Sequence, residues 1–176
     1  CIDYLNTSEN SIITAEDPVE YVIDGIGQCS INEKLNLTFK ETLQHIVSQD
    51  PDIIAISEIR DLFSADAMVQ AALTGHQVFT TFHTEDSIGA LIRLMSMKIE
   101  PFLIASTINC VLAQRLIRKV CPYCSESYMP GVEEISLLGY QGGELSGGKF
   151  FKGVGCGNCL NTGYLGRIAV YEMLLP

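Results

Sequence analysis

The segment "DPDIIAISEIRD", residues 50–61, places a single glutamate at the end of an almost entirely apolar run. Ile53 to Ser57 are too few and too rich in β-branched side chains for a helix, so they predict a strand buried on both faces. Glu58 follows this strand directly. Because burial of an unpaired charge costs several kcal/mol, the carboxylate requires a partner, and the candidates are an arginine, a metal ion and a reacting group.

The segment before this strand contains a strand pattern and a helix pattern. "SIITAED", residues 11–17, predicts a buried strand that ends in carboxylates, and Asp24-Gly25 predicts a hairpin or a turn. Thr38 and Glu41 have the spacing of a capping box, and they open a helix that Pro51 closes. The apolar positions of this helix are Phe39, Leu43, Ile46 and Val47.

The alternation continues after Glu58. "DLFSADAMVQAALTG", residues 61–75, predicts a helix that stops at Gly75, and "HQVFTTFH", residues 76–83, predicts the next strand. Thr84 is predicted to cap a further helix, and Pro101 opens another. The predicted apolar stripe of the helix after Thr84 is Ile88, Leu91, Ile92 and Met95. This order predicts an α/β fold in which helices cover a parallel sheet.

The composition indicates a globular protein with a sizeable core, since hydrophobic residues make up 47% of the 176 residues and charged residues 18%. No apolar run is long enough to span a membrane. The net charge of −10 argues against broad nucleic-acid binding. The first residue is Cys1, so we expect this sequence to be a piece of a longer chain.

Four of the seven cysteines form two C-x-x-C pairs, Cys121 with Cys124 and Cys156 with Cys159. Two such pairs allow four thiolates to converge on one tetrahedral ion, which predicts a closed and therefore structural Zn²⁺ site. Two redox pairs or two disulfides are the alternative. An odd number of cysteines is not a disulfide framework, and both pairs lie in a glycine-rich context, so the metal site is favoured.

The amino-acid composition changes after Arg118. Residues 121–165 are rich in Gly, Pro, Ser and Tyr, and they contain one short helix pattern at Val132 to Leu138. "GRIAVYEMLL", residues 166–175, returns to a strand pattern. We therefore predict a main domain at 1–120, an inserted cysteine module at 121–165 and a return strand of the main domain at 166–176.

Polar side chains cluster where the predicted strands end. The clusters are Glu16, Asp17 and Glu20, then Glu58, Arg60 and Asp61, then His76 and His83. Ligands of open α/β sheets bind beyond the carboxyl ends of the strands, so neighbouring strands that each end in a carboxylate predict a site for Mg²⁺ and water. Taken singly, Glu58 could instead form a structural ion pair with Arg60, and each histidine could be a structural residue.

Five segments carry a resemblance to a known family, and they occur in this order: "TAEDPVEY", "QDPDIIAISEIRD", "ALTGHQVFTTFHTEDS", "AQRLIRKVCPYC" and "CGNCLNTGYLGRIAVYEML". Together they resemble the C-terminal half of the ATPases of type II secretion and type IV pilus assembly, the secretion-traffic ATPase family. The resemblance implies a RecA-like P-loop ATPase core that lacks its N-terminal part and carries a small tetracysteine zinc-binding insertion. The implied cofactors are ATP, Mg²⁺ and Zn²⁺.

The resemblance also implies roles for individual residues. The implied catalytic residues are Glu16, Glu58, His76 and His83, the implied cofactor-binding residues are Asp17, Glu20, Arg60 and Arg115, and the implied metal ligands are Cys121, Cys124, Cys156 and Cys159. In this scheme Glu16 orients or activates the attacking water, and Glu58 serves Mg²⁺ directly or through water. The two histidines sense or position the γ-phosphate region.

Two departures from the family pattern stand out. Ser57 occupies the position before the glutamate where the family usually has glycine, which makes the local backbone less free. The phosphate-loop pattern G-x-x-x-x-G-K-[ST] does not occur in the 176 residues. We therefore expect the parent protein to be an ATPase, and this chain to be an inactive fragment of it.

The resemblance further implies a cytoplasmic homo-hexamer, peripheral at the inner membrane, docked on the platform and assembly proteins of a secretion or pilus machine, with no direct contact to nucleic acid. The tetracysteine module favours assembly over retraction. One alternative is a non-catalytic, zinc-stabilised adaptor, which has no need for all four predicted catalytic residues. Another is a DNA-linked motor of the conjugation type, which the acidic charge and the cysteine module disfavour.

Overall fold

The computed structural model describes residues 1–32, 34, 37–139 and 149–175. The chain divides into two compact units, one of Cys1–Ala113 with Glu172–Pro176, and one of Gln114–Tyr171. The predicted cysteine module, residues 121–165, falls within the second unit. In the described part of the chain, no helix combines the length and the apolarity needed to cross a membrane.

The strand Val111–Val120 begins in the first unit and continues into the second. The strands and helices before it follow the order that the sequence predicts, with one additional strand at Gly27–Ser30. Up to and including this strand, the elements are α1 (Ile2–Leu5), β1 (Ile12–Glu16), β2 (Gly27–Ser30), α2 (Phe39–Val47), β3 (Ile53–Ile56), α3 (Leu62–Leu73), β4 (Gln77–Thr80), α4 (Ser87–Ser96), α5 (Pro101–Thr107) and β5 (Val111–Val120). The remaining elements are β6 (Ser125–Tyr128), α6 (Val132–Leu137), β7 (Phe150–Gly153), a 3₁₀ turn (Gly157–Cys159) and β8 (Tyr164–Leu174).

Strands β2, β1, β3 and β4 form one sheet in that order, and every neighbouring pair is parallel. Ile12 pairs with Ile53, which in turn pairs with Gln77, so β1, β3 and β4 begin level with one another. Because β2 runs parallel to β1, Asp24-Gly25 lies in a turn and not in a hairpin. The predicted parallel sheet is confirmed, and its strands end at one edge.

The core of the first unit explains why the central strand is so apolar. All four residues of β3 are buried, as predicted for a strand that is covered on both faces. The hydrophobic cluster that forms this core also contains Leu43 and Ile46 of α2 and Ala65 and Met68 of α3. The predicted capping box at Thr38 is present, with Oγ1 accepting from the Glu41 N–H at 3.3 Å. Burial and capping together fix where α2 begins and which face it buries.

Two predictions about α4 are wrong. The N-cap is Asp86 and not Thr84, since its carboxylate accepts the Gly89 N–H at 2.7 Å. The predicted apolar stripe is mostly exposed, with Ile88 at 58%, Ile92 at 56% and Met95 at 46% exposure. The buried residues of the helix are Ser87, Ala90 and Leu94. Helical periodicity groups side chains by face, but the neighbouring elements decide which face is covered.

The second unit is built from two small sheets. Strands β5 and β8 pair with each other, and β6 pairs antiparallel with β7. The sequence predicts β8 only as a return strand at 166–175, and it predicts none of β5, β6 and β7. Gly163 has a φ of +75°, and a Cβ on Gly153 would collide with the Gly163 carbonyl. The two backbones therefore approach so closely that only glycine fits at this point.

Candidate functional site

The parallel sheet brings three of the predicted site residues to one edge. Glu16 is the last residue of β1, Glu58 lies two residues beyond β3, and His83 lies three residues beyond β4. Since β3 lies between β1 and β4 in the sheet, the three side chains follow the carboxyl ends of three consecutive strands. This is the edge at which open α/β sheets bind their ligands.

Glu58 has a partner, and that partner is Arg60. The Arg60 Nε donates to Glu58 Oε2 at 2.8 Å, and the Arg60 Nη1 donates to Asp17 Oδ2 at 3.1 Å. The Arg60 guanidinium lowers the pKa of the Glu58 carboxyl below its ordinary value; desolvation opposes this shift, and the charges of His83 and Arg93 add to it. Arg60 therefore favours the carboxylate form of Glu58 and occupies one of its oxygens, Oε2.

The second oxygen of Glu58 faces a small polar cleft. Its Oε1 lies 3.4 Å from His83 Nε2, and the His83 side chain is 90% exposed. The cleft has a volume of about 190 Å³, and its walls are Glu58, Ile59, Arg60, Phe82, His83 and Arg93. One carboxylate, two guanidinium groups and an imidazole thus line this cleft. A cation fits the carboxylate, and phosphate oxygens fit the guanidinium groups.

Arg93 is a site residue that the sequence does not reveal. It lies on α4, ten residues beyond His83, and it contributes to the wall of the cleft and to the electrostatic field at Glu58. No motif marks it, because an arginine inside an amphipathic helix is indistinguishable in sequence from a solvated surface residue. Only the tertiary structure, which places Arg93 beside the segments that follow β3 and β4, identifies it as part of the cleft.

Glu16 is anchored within its own sheet. Its Oε1 accepts from Thr14 Oγ1 at 2.6 Å and from Gln28 Nε2 at 2.9 Å. Thr14 is buried in β1 and Gln28 lies on the neighbouring strand β2, so two rigid elements fix this carboxylate. The other members of its predicted cluster are more exposed: Asp17 pairs with Arg60, and Glu20 lies on the surface.

Asp61 caps a helix, and Arg115 belongs to the second unit. Asp61 caps α3, with Oδ1 accepting the Ser64 N–H at 2.7 Å, which gives this carboxylate a structural task. Arg115 belongs to β5 within the second unit. Its predicted role in cofactor binding stays a prediction.

His76 lies at the other end of the sheet. It precedes β4, whereas His83 follows β4, so the structure does not bring the two histidines together. The His76 Nδ1 lies 3.0 Å from the Ala71 carbonyl and 3.1 Å from Thr74 Oγ1, and its side chain is only 7% exposed. A carbonyl can only accept, so Nδ1 carries the proton and the ring closes the C-terminal end of α3.

We expect His76→Ala to lower the thermal stability of the chain, because it removes a buried ring and leaves the Ala71 carbonyl with one donor fewer. The expected loss is about 1–3 kcal/mol in the free energy of unfolding. His45→Ala, at an exposed position on α2, is the control and should change it by less than about 0.5 kcal/mol. Unchanged stability, with a large loss of turnover in the parent protein, would instead support the catalytic role.

The four paired cysteines converge in the second unit. Their sulfur atoms all lie within 4.8 Å of one another, with Sγ–Sγ distances of 3.9 Å for Cys121–Cys156, 3.9 Å for Cys124–Cys159 and 3.8 Å for Cys156–Cys159. Thiolates about 2.3 Å from one tetrahedral ion stand roughly 3.8 Å apart, so the spacing fits Zn²⁺. It does not fit a disulfide, which brings two sulfurs to about 2.05 Å.

Backbone donors surround one of these thiols. The Cys156 and Gly163 N–H groups both point to Cys159 Sγ at 3.3 Å. Burial raises the pKa of the Cys159 thiol, but these donors outweigh it and bring the pKa down to about 6. Burial raises the pKa of Cys124 to about 12. The cluster therefore already favours one thiolate, and a cation is required to hold four.

Family membership follows from comparison with known proteins. Residues 1–176 match the family model described as "Type II/IV secretion system protein". The chain belongs to this family. The carboxylates at the sheet edge and the cleft beside them therefore lie within the part of the chain that matches this family.

Individual relatives support the family. The chain is 46% identical over 171 residues to the type II secretion system ATPase E of Vibrio cholerae, covering 97% of this chain and 34% of that protein. It is 44% identical to the type IV pilus assembly ATPase PilB of Thermus thermophilus, covering 96% of this chain and 19% of that protein. The chain thus spans about a third or less of the length of these relatives.

A solved structure supports the fold. The crystal structure of the pilus retraction motor PilT with bound ADP has a TM-score of 0.66 and 26% identity, covering 99% of this chain and 41% of that protein. The predicted α/β ATPase fold is therefore confirmed, and the four-cysteine cluster is present within it.

Proposed function

We propose that this chain is part of a motor that hydrolyses ATP to drive type II protein secretion or type IV pilus assembly. The observation that carries the proposal is the position of Glu16, Glu58 and His83 at the carboxyl ends of three consecutive parallel strands, together with the cleft that Glu58 and His83 line with Arg60 and Arg93. The relatives named as ATPases, and the ADP in the PilT structure, support a nucleotide as the ligand.

The side chains divide into anionic and cationic roles. Glu58 is proposed to hold Mg²⁺ directly or through water, because Mg²⁺ prefers carboxylate oxygens and usually keeps several waters. Mg²⁺, when bound, would neutralise charge on the β- and γ-phosphates. Glu16, fixed by Thr14 and Gln28, would orient the attacking water. His83 would donate to the γ-phosphate region, and Asp17 would hold Arg60 in place.

The four cysteines are proposed to hold one structural Zn²⁺. The sulfur spacing matches tetrahedral thiolate coordination, and four thiolates leave no position open for a substrate. The ion would therefore stabilise the second unit and take no part in ATP hydrolysis.

The assembly is proposed by analogy with the family. A homo-hexamer, peripheral at the inner membrane and docked on the platform of a secretion or pilus machine, fits the names of the relatives and a site that needs groups from outside this chain. The test is phosphate release from MgATP by the parent protein, with and without the other proteins of that machine. A parent protein with no turnover under either condition would refute the motor function.

We expect the 176-residue chain alone to show no meaningful ATP turnover and to bind nucleotide weakly. Its residues contain carboxylates and a histidine for the water side of the site, but no phosphate-loop pattern. Phosphoryl transfer depends on positioning and charge stabilisation, and both are incomplete without that loop. Calorimetric titration with MgATP and a phosphate-release assay measure the two properties. Micromolar binding with steady turnover would contradict this expectation.

A non-catalytic adaptor is the second candidate, and the ion pair between Glu58 and Arg60 is the observation that favours it. In an adaptor, this pair would be purely structural. The adaptor predicts a parent protein that folds and binds its partners without hydrolysing ATP.

A further inference from the structure

We propose that Glu172 is a positioning residue for the cleft, because it anchors the N-terminus of α4, the helix that carries Arg93. Glu172 lies near the end of β8, 85 residues beyond Ser87 in the sequence. Its Oε1 accepts the Ser87 backbone N–H at 3.2 Å and also accepts a short hydrogen bond from the Ser87 hydroxyl. One carboxylate, distant in the sequence, thus accepts two hydrogen bonds from the first residue of the helix.

The surroundings of Ser87 make this contact consequential. Ser87 is 2% exposed, and its N–H belongs to the first turn of α4, where no carbonyl of the helix can accept it. Asp86 satisfies the Gly89 N–H, so the two carboxylates share the donors of the first turn. A negative charge at this end also complements the helix dipole. Without Glu172, a buried N–H and a buried hydroxyl lose their acceptor.

The anchored end controls where Arg93 lies. Arg93 follows Ser87 by six residues, which is roughly 9 Å along the helix axis. A change in the direction of α4 at Ser87 therefore moves the Arg93 guanidinium relative to Glu58. Misplacement by about 1 Å can cost up to about a hundredfold in rate.

This inference rests on the proposed ATPase function, and the experiment separates the two. In the parent protein, we expect Glu172→Ala to lower kcat about tenfold and to change KM by less than about twofold, because the cleft groups act on transition-state charge more than on binding. Glu172→Gln keeps an oxygen acceptor at the same position and should recover most of the rate. Glu133→Ala, an exposed acid on α6, is the matched control and should leave kcat unchanged.

A double-mutant cycle with Arg93→Ala tests whether Glu172 affects kcat through Arg93. If Glu172 acts through Arg93, Glu172→Ala should add less than about twofold to the loss caused by Arg93→Ala. Fully multiplicative losses, or a Glu172→Ala variant with normal kcat, would overturn the proposal.

Hydrogen exchange in the 176-residue chain gives a readout that needs no catalysis. The amide of Ser87 should exchange at least about tenfold faster in Glu172→Ala than in the unaltered chain, while the amides of β3 stay protected. Unchanged exchange at Ser87 would refute the anchor even if turnover fell. Absence of turnover in the unaltered parent, with faster exchange in the variant, would refute the ATPase and the cleft role while leaving the anchor established.

Discussion

Glu58→Gln is expected to abolish ATP turnover in the parent protein and to leave nucleotide binding largely intact. Glutamine has the size and shape of glutamate but carries no charge, so it is a weaker ligand for Mg²⁺ and cannot hold a polarised water as a carboxylate does. Removing electrostatic stabilisation of this kind costs roughly a hundredfold or more in kcat. Binding should survive, because the phosphate-loop pattern does not occur in the 176 residues, and we expect the phosphates to be held mainly by groups other than Glu58.

The fold should tolerate this substitution. Arg60 keeps Asp17 as a partner at 3.1 Å, so its guanidinium is not left unpaired when the charge of Glu58 is removed. Arg60 is itself exposed, and an exposed ion pair contributes little stability. Asp66→Asn, which removes an exposed carboxylate from α3, is the matched control for the change of net charge. Its turnover should equal that of the unaltered protein.

The measurements are phosphate release at saturating MgATP and calorimetric affinity for a non-hydrolysable nucleotide. A Glu58→Gln variant with near-normal turnover would reduce Glu58 to a structural ion pair with Arg60. Equal losses in Glu58→Gln and Asp66→Asn would show that net charge, and not the position of this carboxylate, is responsible.

The central strand and the direction of the sheet are predictable from local sequence. Four consecutive apolar residues at 53–56 are typical of a strand that is covered on both faces, which favours helices on both sides and a parallel sheet. The capping box at Thr38 is equally local. Glu16, Glu58 and His83 follow from these features, since residues after parallel strands share one edge.

His76 shows where a sequence pattern is ambiguous. The two histidines bracket one strand and appear equivalent in the sequence, yet a strand has two ends, and only the second lies at the edge with Glu58. Arg93 and Glu172 show the converse. Both make contacts with segments that are distant in the sequence, so no local spacing marks them.

The cysteine module shows a third limit of prediction from sequence. Its candidate metal ligands can be predicted from two C-x-x-C pairs, but β5, β6 and β7 cannot. The residues of β5 are largely exposed and show no clean alternation, so no burial pattern marks it as a strand. Where a metal supplies the stability, the hydrophobic pattern that normally reveals secondary structure is weak.

Removal of zinc is expected to unfold the second unit and to leave the first folded. Among the described residues of the second unit, the buried apolar side chains are those of Cys121 and Cys159 alone, whereas the first unit buries a large aliphatic cluster. A unit whose buried side chains are two cysteines of the cluster has little hydrophobic burial to offset its conformational entropy. Structural Zn²⁺ supplies about 10–16 kcal/mol of apparent binding free energy in zinc-finger peptides, which is enough to decide folding.

Metal analysis of protein purified without chelator should find about one Zn²⁺ per chain, and Cys121→Ser or Cys156→Ser should lower this content sharply. Cys110→Ser removes an exposed cysteine outside the cluster and should keep the full zinc content. After chelation, amide exchange should accelerate in β6 and β7, while β1 and β3, which are buried in the core of the first unit, stay protected. Full zinc content in both ligand variants would refute the site. Loss of zinc with unchanged exchange in β6 and β7 would mean that the ion binds a unit that already folds without it.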